Sequence, residues 1–220
     1  MVIYISPKLV VALPVKELKD LNRIELLIND VDLVELRLDY LSKFDVDILD
    51  LFSKYKEKLI ITLRDKDEGG VNYIDPAFKA NFVRRMEREK FMYDIEARFA
   101  LRYQVNVKDK IVSIHYFDNL PEFTEVKEIF DKFDEAYLRK IAVIAKRGYR
   151  ELLMRVLDNY DNAVVMPMGV NGVERIAFSL LGSKLIYAHA GEETAKGQLH
   201  YKDVRRILNQ LSTIMSSPST

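Results

Sequence analysis

Cysteine is absent from the 220 residues. That excludes disulfides, thiolate zinc sites and a thiol nucleophile. Excess charge of either sign is absent too, because 34 Lys and Arg balance 34 Asp and Glu. A nucleic-acid footprint needs clustered surplus cation. The short runs Arg84-Arg85 and Arg205-Arg206 sit in helical patterns, where a solvated face explains them. No apolar run approaches the roughly 20 residues that span a bilayer. Residues 1–14 carry neither a charged leader region nor a small-residue cleavage signal. No Gly-x-Gly-x-x-Gly follows the first apolar run, so the dinucleotide fingerprint is missing. The residues offer no obvious metal cluster. The expectation is a cytoplasmic enzyme with no metal, no cofactor, no membrane and no nucleic-acid partner.

What is present is a regular alternation. Apolar runs rich in Val, Ile and Leu occupy 8–13, 33–38, 58–63, 91–95, 110–115, 139–144, 163–167 and 184–188. They have the length and composition of buried parallel strands. Amphipathic segments lie between them. One stripe is Leu18, Leu21, Leu27 and Ile28; the next is Val46, Leu49, Phe52 and Tyr55; a third is Phe78, Phe82 and Met86. Pro121 is placed for a helix start ahead of Phe123, Val126, Ile129, Phe130 and Phe133. Segments 150–160 and 201–215 are the clearest helices, and 97–107 is the weakest. Strict alternation implies a parallel sheet covered by helices, and eight units imply a closed (βα)8 TIM barrel of the α/β class. The rival is an open doubly wound sheet. Residues 1–220 read as one catalytic domain, with 216–220 as a fraying tail.

Charged residues recur with period two at the strand ends. In Val34-Glu35-Leu36-Arg37-Leu38-Asp39, the apolar parity takes the helix side, so Glu35, Arg37 and Asp39 point into the barrel. Alone, that pattern also fits a half-exposed antiparallel strand. It gains weight by repetition: Thr62 with Arg64, Asp94 with Glu96, and Ser113 with His115. These lie at the C-terminal rim, where barrels build active sites. His115 has the chemistry for general acid–base work, and Glu68 is a candidate to orient it. His189 and His200 read as loop residues. Lys140 and Lys146 share parity on the sixth strand, and position along the strand favours Lys146. A lysine in an apolar wall is a nucleophile freed by desolvation. Glu68-Gly69-Gly70 reads as a tight turn or a phosphate cradle; no Lys-Ser/Thr follows to support the cradle. Gly182-Ser183 reads as a helix cap.

Taken in order, these pieces resemble the type I 3-dehydroquinate dehydratase family over nearly the whole chain. The resemblance runs through Glu35-Leu-Arg37-Leu-Asp39, Thr62-Leu-Arg64, Glu68-Gly69-Gly70, Asp94-Ile-Glu96 and Ser113-Ile-His115-Tyr-Phe117. It continues through Lys140-Ile-Ala142-Val143, Met166-Pro-Met168-Gly169, Gly172, Arg175, Gly182-Ser183 and Thr194-Ala195-Lys196-Gly197-Gln198. Each piece is weak alone; the ordered series is specific. The chain departs from the family's usual residues at Tyr116, Leu120, Glu174 and Lys196.

The resemblance implies a lyase of the shikimate pathway, which supplies aromatic amino acids. It implies dehydration of 3-dehydroquinate to 3-dehydroshikimate, with Lys140, rather than Lys146, forming the imine. His115 is then the proton carrier and Glu68 its partner. Arg175 is expected to bind the substrate carboxylate. Glu35, Arg37, Arg64, Thr194 and Gln198 are expected around the ring hydroxyls, and Met166, Met168 and Tyr187 along the wall. The segment from Thr194 to Gln198 is expected to act as a lid, and the protein to be a homodimer. Two rivals are another imine-forming barrel lyase of the class I aldolase type, and a non-catalytic barrel that binds a small acid.

Overall fold

The computed structural model describes residues 7–216. Of the tail expected at 216–220, Ser216 ends a helix, and 217–220, like the first six residues, lie outside the described residues. Eight strands follow one another: β1 (Lys8–Pro14), β2 (Leu33–Arg37), β3 (Leu59–Thr62), β4 (Met92–Glu96), β5 (Ile111–Tyr116), β6 (Leu138–Ile144), β7 (Ala163–Met168) and β8 (Leu185–Ala188). Each falls on its predicted apolar run. Their order is β7-β6-β5-β4-β3-β2-β1-β8, and every pairing is parallel. Pairing of the last strand with the first makes the order circular. That excludes the open doubly wound sheet, in which the strand order reverses at a switch point.

The seam between β7 and β8 has no strand ladder among the described residues. Two hydrogen bonds stitch its base. The Lys184 amide donates to the Ala163 carbonyl at 3.0 Å, and the Val165 amide donates to Ser183 Oγ at 3.0 Å. Gly182 supplies the left-handed backbone that ends the preceding helix, at φ 123°. The cap expected at Gly182-Ser183 therefore also joins the barrel's edges.

Among the described residues the α-helices are α1 (Arg23–Leu27), α2 (Pro76–Arg88), α3 (Ala97–Tyr103), α4 (Phe123–Phe130), α5 (Tyr149–Asn159), α6 (Val173–Leu180) and α7 (Tyr201–Ser216). Pro121 precedes α4 by two residues rather than opening it. The crossover from β2 to β3 holds no α-helix; Val46–Lys58 is a 3-10 helix. The stripe at 46, 49, 52 and 55 explains it, since every step is three residues, the period of a 3-10 turn. Leu49 and Phe52 are fully buried. In the first crossover, Leu18 stays 55 % exposed while Leu21 and Leu27 are buried.

The apolar parity of each strand divides the core. Val11, Leu13, Val34, Leu36, Ile61, Ile95, Val112, Ile141 and Val143 face the helices in one large outer core. Val10, Ala12, Ile60, Ile111, Leu138, Val164 and Leu185 fill the barrel interior. This inner plug is small and lies toward the strands' starts. Above it, at the C-terminal rim, the inward positions carry charge.

Candidate active site

Adjacent strands β5 and β6 pair Ser113 with Lys140 and His115 with Ala142. Lys140 and His115 therefore share the inward face, two residues apart in register. At the ordinary strand rise, that is about 7 Å along the barrel. Both line a cavity of about 280 Å³ at the C-terminal rim. Its wall also holds Glu35, Arg37, Arg64, Glu68, Met166, Met168, Tyr187, Thr194 and Gln198. Eleven of the twelve residues singled out from the sequence thus meet in one small chamber.

Arg175 is the exception. It is 4 % exposed but does not line the cavity. Its Nε donates to the Pro167 carbonyl at 3.2 Å, and its Nη2 donates to the Lys196 carbonyl at 3.1 Å. The loop 190–199, whose Lys196 carbonyl takes that bond, contributes Thr194, Ala195, Lys196 and Gln198 to the chamber's lining. Arg175 Nη1 is buried with no hydrogen-bond partner. Burial lowers this guanidinium to about 10, with only the Coulomb pull of Glu193 opposing it. A buried cation with an unused donor and no paired carboxylate is a place for an anion.

Lys140 is 3 % exposed and donates to Asp94 Oδ2 at 2.7 Å. Glu35 Oε1 lies 3.7 Å from the same nitrogen, and the Tyr187 ring centre lies 4.3 Å from it. Lys146 is placed differently. Strand β6 ends at Ile144, so parity no longer directs Lys146 inward; it is exposed and donates to the Asp118 carbonyl. The preference for Lys146 from strand position is thereby corrected.

His115 Nδ1 lies 3.0 Å from Glu68 Oε2. Burial, reinforced by Arg64 and Lys140, holds the imidazole well below its ordinary range. That direction favours its unprotonated form at neutral pH. Burial also pushes the Glu68 carboxyl up to about 7, against the pull of Arg64. Nδ1 is committed to Glu68, which leaves Nε2 as the nitrogen for substrate. The turn that delivers Glu68 is a short 3-10 segment, Lys66–Glu68, ended by Gly69 at φ 87°. The Gly69 and Gly70 amides donate to the Lys66 and Asp65 carbonyls. Spent on their own turn, they form no phosphate cradle. A side chain at Gly69 would meet the Phe117 ring at 2.5 Å, and that ring stacks on His115.

Inward charges are neutralised pair by pair. Arg37 forms a two-pronged bond to Asp39 at 2.7 and 2.8 Å. Arg64 donates to Asp94 at 2.8 Å, Glu96 at 3.1 Å and Ser113 at 2.7 Å. Thr62 donates to Glu35 at 2.9 Å. Lys79 of α2, wholly buried, joins Glu96 at 2.5 Å and Asp65 at 2.7 Å. Sequence reasoning passed over Lys79 because a helical lysine ordinarily faces water. Its spacing from Phe82, Val83 and Met86 on the buried face of α2 was the available signal. Lys196, Ala195, Phe117, Ala142 and Ile144 also line the chamber without having been singled out as site residues. His189 and His200 meet edge to face, ring centres 5.4 Å apart, at the neck of the loop 190–199, outside the chamber. Among the described residues there is no cluster suited to a metal ion, and no helix long and apolar enough to cross a membrane.

Comparison with known proteins decides the family. The family model for type I 3-dehydroquinase matches residues 9–215. The chain belongs to the type I 3-dehydroquinase family. It is 44 % identical to the 3-dehydroquinate dehydratase of Saccharolobus solfataricus, covering 96 % of this chain and 97 % of that one. It is 41 % identical to the 3-dehydroquinate dehydratase of Metallosphaera sedula, covering 93 % and 98 %. Among solved structures, a type I 3-dehydroquinate dehydratase from Clostridium difficile superposes with a TM-score of 0.77. That match is 22 % identical and covers 94 % of this chain and 93 % of that chain. It supports the barrel; the closer sequence relatives and the family model carry the membership.

Proposed function

We propose that this type I 3-dehydroquinase converts 3-dehydroquinate to 3-dehydroshikimate through an imine on Lys140. The observation that carries the reading is one buried lysine nitrogen and one imidazole facing a shared chamber from adjacent strands. The Lys140 ammonium gives up a proton, attacks the substrate ketone and, as the carbonyl oxygen leaves as water, forms a protonated imine. This group withdraws electrons more strongly than the ketone, which acidifies the neighbouring C2–H. His115 Nε2 takes that proton, and the electron pair moves toward the nitrogen as an enamine. His115 then returns a proton to the departing hydroxyl, which leaves as water as the C=C bond forms. Hydrolysis of the imine releases product and restores the amine. Glu68 fixes the ring through Nδ1 and stabilises its protonated form.

Substrate carries a carboxylate, and Arg175 is a buried cation with an unused donor. A shift of the loop 190–199, which now takes Arg175 Nη2 on the Lys196 carbonyl, brings this guanidinium to the substrate. Thr194 and Gln198 travel with that loop and bond to each other. Glu35, Arg37 and Arg64 meet the ring hydroxyls, while Met166, Met168 and Tyr187 bound its faces. The reading includes a cytoplasmic homodimer. The direct assay follows the rise in ultraviolet absorbance as 3-dehydroquinate becomes a conjugated enone. Wild type is expected to turn over and Lys140→Ala to fall to background. A fully active Lys140→Ala rejects the proposal.

A further inference from the structure

The nearest anion to the Lys140 nitrogen is Asp94, which has no part in the steps above. Oδ2 of Asp94 accepts from Nζ at 2.7 Å, a full ångström closer than Glu35. Its other oxygen, Oδ1, accepts from Arg64 Nη2 at 2.8 Å and from Ser113 Oγ at 2.5 Å. Asp94 does not line the chamber, whereas Glu35 does. Asp94 thus sits behind the nitrogen, where substrate does not displace it. Asp94, Arg64, Ser113 and Lys140 are all buried, so water does little to screen them.

Among the fully buried members of this group charge is balanced, and Asp65 joins Lys79 from the partly exposed edge. Glu35, Asp94 and Glu96 face Lys140, Arg64 and Lys79, joined by the contacts described above. Breaking one partner out of such an array is costly. Imine formation leaves the balance intact. A ketone and an ammonium become an iminium and water: the C=O bond breaks, the C=N bond forms, and oxygen leaves with two of the three ammonium hydrogens. The nitrogen carries one positive charge before and after.

We infer that Asp94 is the fixed counter-ion of the Lys140 nitrogen, held in place by Arg64 and Ser113, and that it keeps the imine protonated while His115 moves the substrate's proton. This rests on the Lys140 imine proposed above. Burial alone pushes the Asp94 carboxyl up, but Arg64 and Lys140 outweigh it and hold it well below the usual carboxylate range. Asp94 therefore stays an anion and does not compete with His115 as a base. The Tyr187 ring adds a second cation-favouring surface at 4.3 Å. The assignment differs from a packing role, because the charge of Asp94, rather than its volume, is what matters.

The experiment compares wild type with Asp94→Asn, Asp94→Glu and Ser113→Ala. Each is mixed with 3-dehydroquinate, reduced with borohydride across a pH series, and mapped for the Lys140 adduct; kcat and KM are measured at the same pH values. An iminium without its counter-ion loses its proton at lower pH. Asp94→Asn is therefore expected to lower the trapped fraction at pH 8 by about tenfold or more, and to move the alkaline limb of kcat by about one pH unit or more downward. Asp94→Glu restores part of both, and Ser113→Ala shifts both in the same direction by less. A folded Asp94→Asn that traps and turns over like wild type at every pH overturns the inference. Should Asp94→Asn not fold, a Ser113→Ala profile superposing on wild type overturns it instead. Absence of any Lys140 adduct in active wild type defeats the underlying imine reading, a different result from a wild-type adduct unchanged by these substitutions.

Discussion

Glu68 Oε2 lies 3.0 Å from His115 Nδ1, although 47 positions separate the two residues in sequence. One comes from a short turn after β3 and the other from the end of β5. Their meeting fixes which imidazole nitrogen is available, and both groups have displaced titrations.

Replacing His115 with Ala removes the group assigned to proton transfer while leaving Arg175 and the chamber walls in place. A loss of about 10²–10⁴ in kcat is expected, with ligand binding retained. Steady-state kinetics and a product-binding titration check both halves. Equal turnover in variant and wild type contradicts the assigned role.

The pH dependence of kcat/KM reports the free enzyme. His115 is held below its ordinary 6.5, so its basic form persists as pH falls through neutrality. The acid limb due to this group is expected below pH 6.5. A limb at or above pH 7 that disappears in His115→Ala contradicts the placement of this ring.

Glu68 gives a stability counterpart. Its folded carboxyl titrates at about 7 against an ordinary 4.5, so the folded state holds that proton more tightly than the unfolded chain. The contribution is fully present below pH 4.5 and lost as pH rises through 7. Its ceiling is about 3 kcal/mol. Glu68→Gln is expected to remove that part of the decline, which urea unfolding at pH 4.5 and pH 7.5 measures. Parallel declines in variant and wild type contradict it.

Lys79 separates stability from chemistry. Lys79→Met leaves Glu96 buried without its nearest ammonium, and a loss of about 3–5 kcal/mol is expected. The Lys140–Asp94 contact does not include Lys79, so kcat per folded molecule is expected to stay within a few fold of wild type. Chemical denaturation and active-site titration test the two parts together.

Much of the frame was legible in the sequence because buried parallel strands read as short apolar runs between amphipathic segments. All eight fall where Val, Ile and Leu concentrate. Parity then sent Glu35, Arg37, Asp94, Ser113 and His115 inward, because a closed barrel gives each strand two fixed sides. Parity failed at Lys146, where the strand had already ended. It was silent on Lys79 and Arg175, whose burial depends on how α2 and α6 dock rather than on any strand. The 3-10 character of Val46–Lys58 was present as a strict three-residue spacing. Resemblance, not periodicity, selected Lys140 over Lys146; Lys140 is buried in the chamber wall, whereas Lys146 lies beyond the strand's end, exposed and bonded to the Asp118 carbonyl.

The most direct measurement is borohydride reduction of the enzyme during turnover of 3-dehydroquinate, followed by peptide mass mapping. The expected result is one stoichiometric adduct on the peptide containing Lys140, absent from Lys140→Ala. Labelling at Lys146, or turnover that persists in Lys140→Ala with no adduct anywhere, contradicts the account.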